Sequence, residues 1–125
     1  MDRTRGYYIG ILIVLGFATV GAATGFVLLG HSWYQLLVAG FLGVVLTQFA
    51  FVAHEASHGQ VFASPTANTR VGRLLANGVV GISYTWWMNK HSRHHANPNM
   101  VAKDPDISPG VLRFTEDDAA TTKSR

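Results

Sequence analysis

The sequence predicts an all-α integral membrane protein: a transmembrane helical hairpin followed by a cytoplasmic or interfacial helical segment. Hydrophobic residues make up 48% of the 125 residues and charged residues only 14%, a low charged fraction for a soluble domain. The stretch from Gly6 to His54 contains no Lys, Arg, Asp or Glu over 49 residues. Because a bilayer span needs about 20 apolar residues, this run is long enough for two spans within one domain.

Residues 7–29 are predicted to form the first transmembrane helix. A secretory signal peptide is the alternative, since Arg3 and Arg5 resemble its charged start and Gly21-Ala22-Ala23 resembles a cleavage site. The apolar run continues past Ala23 and is followed by a second apolar run, which favours a span.

Residues 33–53 are predicted to form the second transmembrane helix, after a tight turn at Gly30–Ser32 in which His31 faces solvent. At 1.5 Å per residue this helix covers about 30 Å, the thickness of a hydrocarbon core. Trp33 and Tyr34 suit the membrane interface.

Residues 54–100 form a region that contains five of the six histidines. Within it, the charge-free stretch Leu74–Met88 is too short for a span and is predicted to be an interfacial or re-entrant helix. A third span is the alternative, but it would separate the histidines across the membrane. Residues 101–125 are predicted to be a polar, irregular tail.

The basic residues flank the apolar hairpin, and the positive-inside rule therefore predicts a multi-pass protein with all five histidines on the cytoplasmic side. The flanking residues are Arg3, Arg5, Arg70, Arg73, Lys90 and Arg93. They form no long basic run, so despite a pI near 9.6 we expect anionic lipid and not nucleic acid as their partner.

The five histidines form two clusters at helical spacing. The first cluster is His54 and His58, and the second is His91, His94 and His95. On a helix, residues three and four apart share a face, so each cluster projects its imidazoles in one direction, as a metal site requires. The chain has no cysteine, which excludes thiolate-ligated zinc and iron–sulfur sites.

Two kinds of metal enzyme agree with these clusters. His54-Glu55-x-x-His58 matches the H-E-x-x-H motif of zinc proteases, in which the glutamate is the general base. Such a site needs one further protein ligand, whereas the second cluster offers three. Five imidazoles therefore fit a two-metal site better.

H-x-x-x-H at the end of an apolar hairpin, followed 33 residues after His58 by H-x-x-H-H, resembles the membrane fatty acid desaturases and the related hydroxylases. His94-His95-Ala96-Asn97-Pro98-Asn99, followed by Asp104-Pro105-Asp106-Ile107, is similar to the acyl-CoA and front-end desaturase branch.

This resemblance implies a non-haem di-iron centre that uses O₂ and two electrons to remove two hydrogens from an acyl chain. The acyl chain would be carried on CoA or a lipid, and the electrons would come from a ferredoxin, cytochrome b5 or a similar reductase system. The implied iron ligands are His54, His58, His91, His94 and His95. The family has a third histidine cluster, and no histidine follows His95 here. We therefore expect an amino-terminal part that is inactive until a carboxyl-terminal part or another chain supplies the missing ligands.

Three carboxylates near the clusters are candidates to orient a ligand imidazole by a hydrogen bond: Glu55, Asp104 and Asp106. The alternatives are a solvated helix end for Glu55 and ordinary turn chemistry for Asp-Pro-Asp.

Four residues of the second cluster's surroundings are candidates for substrate contact. Lys90 and Arg93 would bind a CoA or lipid phosphate, and anionic headgroups explain them equally well. Trp86 and Trp87 would line an acyl tunnel, with an interfacial aromatic belt as the alternative.

Overall fold

The computed structural model describes residues 3–108 together with residues 116 and 120. Within these residues the regular structure is helical, with no strand, as the sequence predicted. The chain divides into two compact units, one ending at Tyr84 and the other beginning at Thr85.

Helices α1 (Arg3–Leu29) and α2 (Gln35–Ser57) pack together as the predicted hairpin. Tyr8, Leu15 and Ala22 are buried at intervals of seven residues, which places them on one face of α1. The turn is closed by the Gln35 side chain, whose Nε2 donates to the carbonyl oxygens of Phe26 (2.7 Å) and Gly30 (2.9 Å).

The two apolar stretches Gly6–Leu29 and Gln35–Ser57 are each long and apolar enough to cross a membrane. The first covers residues 7–29, where the first span was predicted. The second begins two residues later than the predicted 33–53 and continues four residues further, so His54 lies within the helix and not beyond its end. His31 is exposed in the turn, as predicted.

A loop after α2 leads to helix α3 (Pro65–Arg73), which begins where local chemistry directs it to begin. Ser64 is the N-cap, and its side-chain oxygen accepts a hydrogen bond from the Ala67 amide at 3.3 Å. Pro65 occupies the first turn, where a missing amide proton costs nothing.

The predicted single helix over Leu74–Met88 is wrong, because the structure breaks it. A π-helical segment, Leu74–Val80, continues directly from α3 and ends at Gly81, whose φ of 81° is left-handed and favours glycine. Helix α4 (Tyr84–Ala96) then begins, and its first amide donates to Oδ1 of Asn77 at 2.7 Å. The Asn77 side chain thus satisfies a donor that a helix start leaves unpaired.

Most of α4 belongs to the second unit, where turns follow it through Ser108. These turns agree with the polar, irregular segment predicted from residue 101. Residues 109–115, 117–119 and 121–125 of the predicted tail lie outside the described residues.

Candidate metal centre

The first histidine cluster lies at the carboxyl-terminal end of α2. His54 is in the last turn of this helix and is half-buried, and His58 is the exposed C-cap residue. Their ring centroids are 4.7 Å apart, so both imidazoles lie on the same side of the helix end. The neighbouring Ala53 and Ala56 are buried, which fixes this turn by apolar packing.

Glu55, between the two histidines, contacts the other helix of the hairpin. Its carboxylate accepts a hydrogen bond from the hydroxyl of Tyr8, which is itself buried on α1. The sequence had suggested an imidazole or solvent as the partner of Glu55, and Tyr8 had no role in that prediction. No local signal identifies Tyr8, because it lies 47 residues away in an apolar helix.

The second cluster places two of its three histidines together on α4. The Nε2 atoms of His91 and His95 lie 3.1 Å apart. The Trp87 ring stacks on the His91 ring with a centroid distance of 4.5 Å and an angle of 16°. Residues 87, 91 and 95 are four apart, so one helix face carries the stack and both imidazoles.

His94 has different neighbours from His91 and His95. Its Nδ1 lies 3.0 and 2.9 Å from the two carboxylate oxygens of Asp104 and 3.2 Å from an oxygen of Asp106. The predicted association of the Asp-Pro-Asp segment with a histidine is therefore present within the second unit. Asp104 is fully buried, unlike an ordinary turn residue.

Asp104 is surrounded by hydrogen-bond donors. The amide of Asn99 donates to Oδ2 at 2.8 Å, and the amide of Asp106 donates to Oδ1 at 2.9 Å. Burial raises the pKa of the Asp104 carboxyl, but the Asp106 amide, the His94 ring and the Asn99 amide lower it more, so the pKa falls below its ordinary value. The Asn99 contact uses the main chain, which no sequence motif predicts.

The remaining candidates lie near the surface of the second unit. Lys90 forms an ion pair with Asp106, with 2.7 Å between Nζ and the carboxylate oxygen. Arg93 is exposed, and Trp86 is 60% exposed. Trp87 contacts a histidine of the cluster, which gives it a role that the sequence had not suggested.

The family model described as Fatty acid desaturase matches residues 31–118, a range that contains both histidine clusters. The chain belongs to the fatty acid desaturase family. This result confirms the resemblance inferred from the spacing of the histidines.

Curated relatives of this chain agree with the family assignment. The chain is 31% identical over 110 residues to a Delta(8)-fatty-acid desaturase of Helianthus annuus, covering 86% of this chain and 24% of that protein. It is 35% identical over 88 residues to a Delta(8)-fatty-acid desaturase of Euglena gracilis, covering 68% and 21%. A Delta 8-(E)-sphingolipid desaturase of Komagataella phaffii is 34% identical over 82 residues, covering 66% and 15%.

The chain thus spans a quarter or less of the length of these relatives. No solved structure matches it.

Proposed function

We propose that this chain contributes the first two ligand clusters of a membrane-bound fatty acyl desaturase with a non-haem di-iron centre. The observation that carries the proposal is that the family match spans two clusters whose imidazoles are grouped within their own units. The proposed iron ligands are His54, His58, His91, His94 and His95.

The donor atoms of the second unit fit such a metal. Two imidazole nitrogens at a right angle, each about 2.1 Å from one ion, are about 3.0 Å apart. The Nε2 atoms of His91 and His95 are 3.1 Å apart, so this pair needs little rearrangement to share an ion. Neutral imidazole is a suitable ligand for iron, and a carboxylate often orients such an imidazole. An oxygen of Asp104 lies 2.9 Å from Nδ1 of His94.

When bound, the two irons would supply the O₂ activation that removes two hydrogens from an acyl chain, with electrons from a partner such as a ferredoxin or cytochrome b5. The histidines of this chain would hold the irons. Trp87 would keep the His91 ring in place by stacking, and the hairpin would give the acyl chain of a CoA- or lipid-linked substrate an apolar surface. The names of the relatives, which include fatty acid and sphingolipid desaturases, support a lipid substrate.

We further propose that the hairpin crosses the membrane and that both clusters lie on the cytoplasmic side. Large apolar side chains on the outside of α1 support this proposal, since Phe17, Val27 and Leu28 are each at least 75% exposed. The chain contains no cysteine, so a thiol reagent can label only a cysteine that is introduced by mutation. We expect His31→Cys and Ser92→Cys to react with an impermeant thiol reagent from opposite sides of sealed vesicles. Labelling of both from one side would contradict the hairpin topology.

A protease built on H-E-x-x-H is disfavoured by the contact of its would-be base, since Glu55 accepts a hydrogen bond from Tyr8. The chain spans a quarter or less of the length of its relatives, so the decisive experiment co-produces it with the carboxyl-terminal part of a related desaturase. We expect His91→Ala to lose iron and double-bond formation as severely as His54→Ala. Glu55→Gln serves as the matched control and should retain iron.

Iron content and fatty-acid profiles measure both quantities in each preparation. An His91→Ala variant that keeps a full metal complement would contradict the proposed ligand set. One equivalent of zinc with peptide cleavage would contradict the desaturase function itself.

A further inference from the structure

We propose that Asp104 is a positioning residue that holds His94 in the tautomer with its proton on Nδ1, leaving Nε2 free to bind metal. The inference deepens the proposed function, since it rests on His94 being an iron ligand. It assigns to one carboxylate of the Asp-Pro-Asp segment a task that the other does not share.

The first argument is the contact geometry. Both carboxylate oxygens of Asp104 lie within 3.0 Å of Nδ1 of His94, so the nitrogen faces the carboxylate squarely. A carboxylate has only acceptor sites. A neutral imidazole that meets it through Nδ1 must therefore supply the proton there, and the lone pair of the ring is then on Nε2.

The second argument is that Asp104 is built into the protein as an anion. The side chain has no exposed surface, and burying a carboxylate is costly unless donors surround it. The amide of Asn99 donates a hydrogen bond to Oδ2, and the amide of Asp106 donates one to Oδ1. These main-chain donors keep the carboxylate oriented towards His94, because they fix both oxygens at once.

The third argument is the shape of the loop that delivers Asp104. Asn99 and Ala102 have positive φ values of 60° and 65°, and such a conformation costs an alanine about 1–2 kcal/mol. The amide of Asp104 also donates to the carbonyl of Met100 at 2.9 Å. The loop thus adopts a strained path that brings the carboxylate within hydrogen-bond distance of Nδ1 of His94.

Asp106 provides the contrast. Its side chain is 43% exposed and forms an ion pair with Lys90, and its nearer oxygen to His94 is at 3.2 Å. An exposed carboxylate that is shared with a lysine is a weaker constraint on the imidazole. The orienting task therefore falls on Asp104.

The test is Asp104→Leu in the full chain, prepared without metal in detergent micelles. Leucine has a similar shape and no acceptor, so nothing at position 104 holds the proton on Nδ1, and a neutral imidazole without such a partner carries its proton mainly on Nε2. Nitrogen-15 NMR of labelled histidine distinguishes the two tautomers directly. We expect His94 to be protonated on Nδ1 in the unaltered chain and on Nε2 in the variant.

Co²⁺ titration supplies the second measurement, and we expect Asp104→Leu to bind about 10–100-fold more weakly than the unaltered chain. Asp106→Leu is the matched control and should leave the His94 tautomer unchanged. His91, which stacks on Trp87, is the internal reference, and its resonances should be the same in all three proteins.

A His94 protonated on Nε2 in the unaltered chain would overturn the inference, whatever the variant does and whether or not it folds. An unchanged tautomer in a folded Asp104→Leu would overturn it as well. The two measurements also distinguish this inference from the proposed function. If the tautomers are as expected but no protein binds Co²⁺, the positioning role of Asp104 is supported and His94 is not a metal ligand.

Discussion

Asn68 in the first unit and Asp104 in the second are two buried polar side chains. Asn68 bonds the main chain alone: its Oδ1 accepts from the Phe62 amide, and its Nδ2 donates to the carbonyl oxygens of Phe62 and Ser64. Asp104 also binds main-chain amides, but it contacts the ring of His94 in addition.

The difference between these two side chains follows from their chemistry. An amide has both a donor and an acceptor, so Asn68 can close the loop before α3 without help from any other side chain. A carboxylate has acceptors alone and must be given donors. Two amides and one imidazole meet that requirement for Asp104, and through the imidazole the loop becomes part of the candidate metal centre.

The same contrast separates the two histidine clusters. Apolar packing around Ala53 and Ala56 holds the first cluster at the end of α2. Hydrogen bonds and an ion pair hold the loop and His94 of the second. We therefore expect the first unit to respond most to changes of packing and neutral hydrogen bonding, and the second to changes of charge.

The largest effect is expected for Asn68→Ala, which leaves the part-buried amide and carbonyl of Phe62 without their present partner. Each such group costs about 1–3 kcal/mol, so the free energy of unfolding should fall by about 3 kcal/mol. Denaturant titration in micelles measures the loss, and hydrogen exchange of the Phe62 amide localises it. The His94 tautomer should be unchanged in this variant, as it would not be if Asp104 were replaced. A Phe62 amide that stays protected from exchange would contradict the role described for Asn68.

A somewhat smaller loss is expected for Gly72→Ala. A Cβ at this position would lie 2.7 Å from Cε2 of the buried Tyr84 ring, and such overpacking costs about 1–3 kcal/mol. Gly78→Ala is the control, since its Cβ would meet only Cδ1 of Leu74 at 3.8 Å. Thermal unfolding followed by circular dichroism compares the two. Equal stability of both variants would mean that Tyr84 does not pack on Gly72 as described.

Acid should affect the second unit through Asp104. Its folded pKa lies below the ordinary 3.8, so its contribution to stability is present above that value and is lost as the pH falls through the folded pKa. We expect hydrogen exchange of the Asn99 amide to accelerate below about pH 4, beyond the intrinsic change with pH. The Phe62 amide, which is bound by the neutral Asn68, is the reference. If exchange of the two amides accelerates equally on acidification, the Asp104 carboxylate does not stabilise the second unit through its charge.

The smallest effect is expected for Lys90→Met, which removes the ion pair with Asp106. Both side chains are more than a third exposed, and such pairs contribute about 0.2–1 kcal/mol. Denaturant titration should show a loss at or below the lower end of this range at physiological salt. A loss as large as that of Asn68→Ala would show that the ion pair of Asp106, and not the contacts of Asp104, contributes most to the stability of the loop.

Features that depend on neighbours along the chain were accessible from the sequence. The charge-free run predicted the apolar hairpin, and the i, i+3 and i+4 spacing predicted the histidine clusters and the family. These signals are local, because hydrophobic length and helical periodicity are properties of a single segment. The same reasoning failed over residues 74–88, where the left-handed Gly81 and the side chain of Asn77 end one helix and begin another.

The tertiary structure decided which polar groups meet. Glu55 and Tyr8 are 47 residues apart, and nothing in either segment specifies their hydrogen bond. The sequence placed Asp104 near a histidine only as one of two options, since Asp-Pro-Asp is also common in solvated turns. The burial of Asp104 and the hydrogen bond that it accepts from the Asn99 amide decide between these options. Both depend on the path of the loop through space. Residue type thus determined what each side chain can do, whereas packing determined which partner it has.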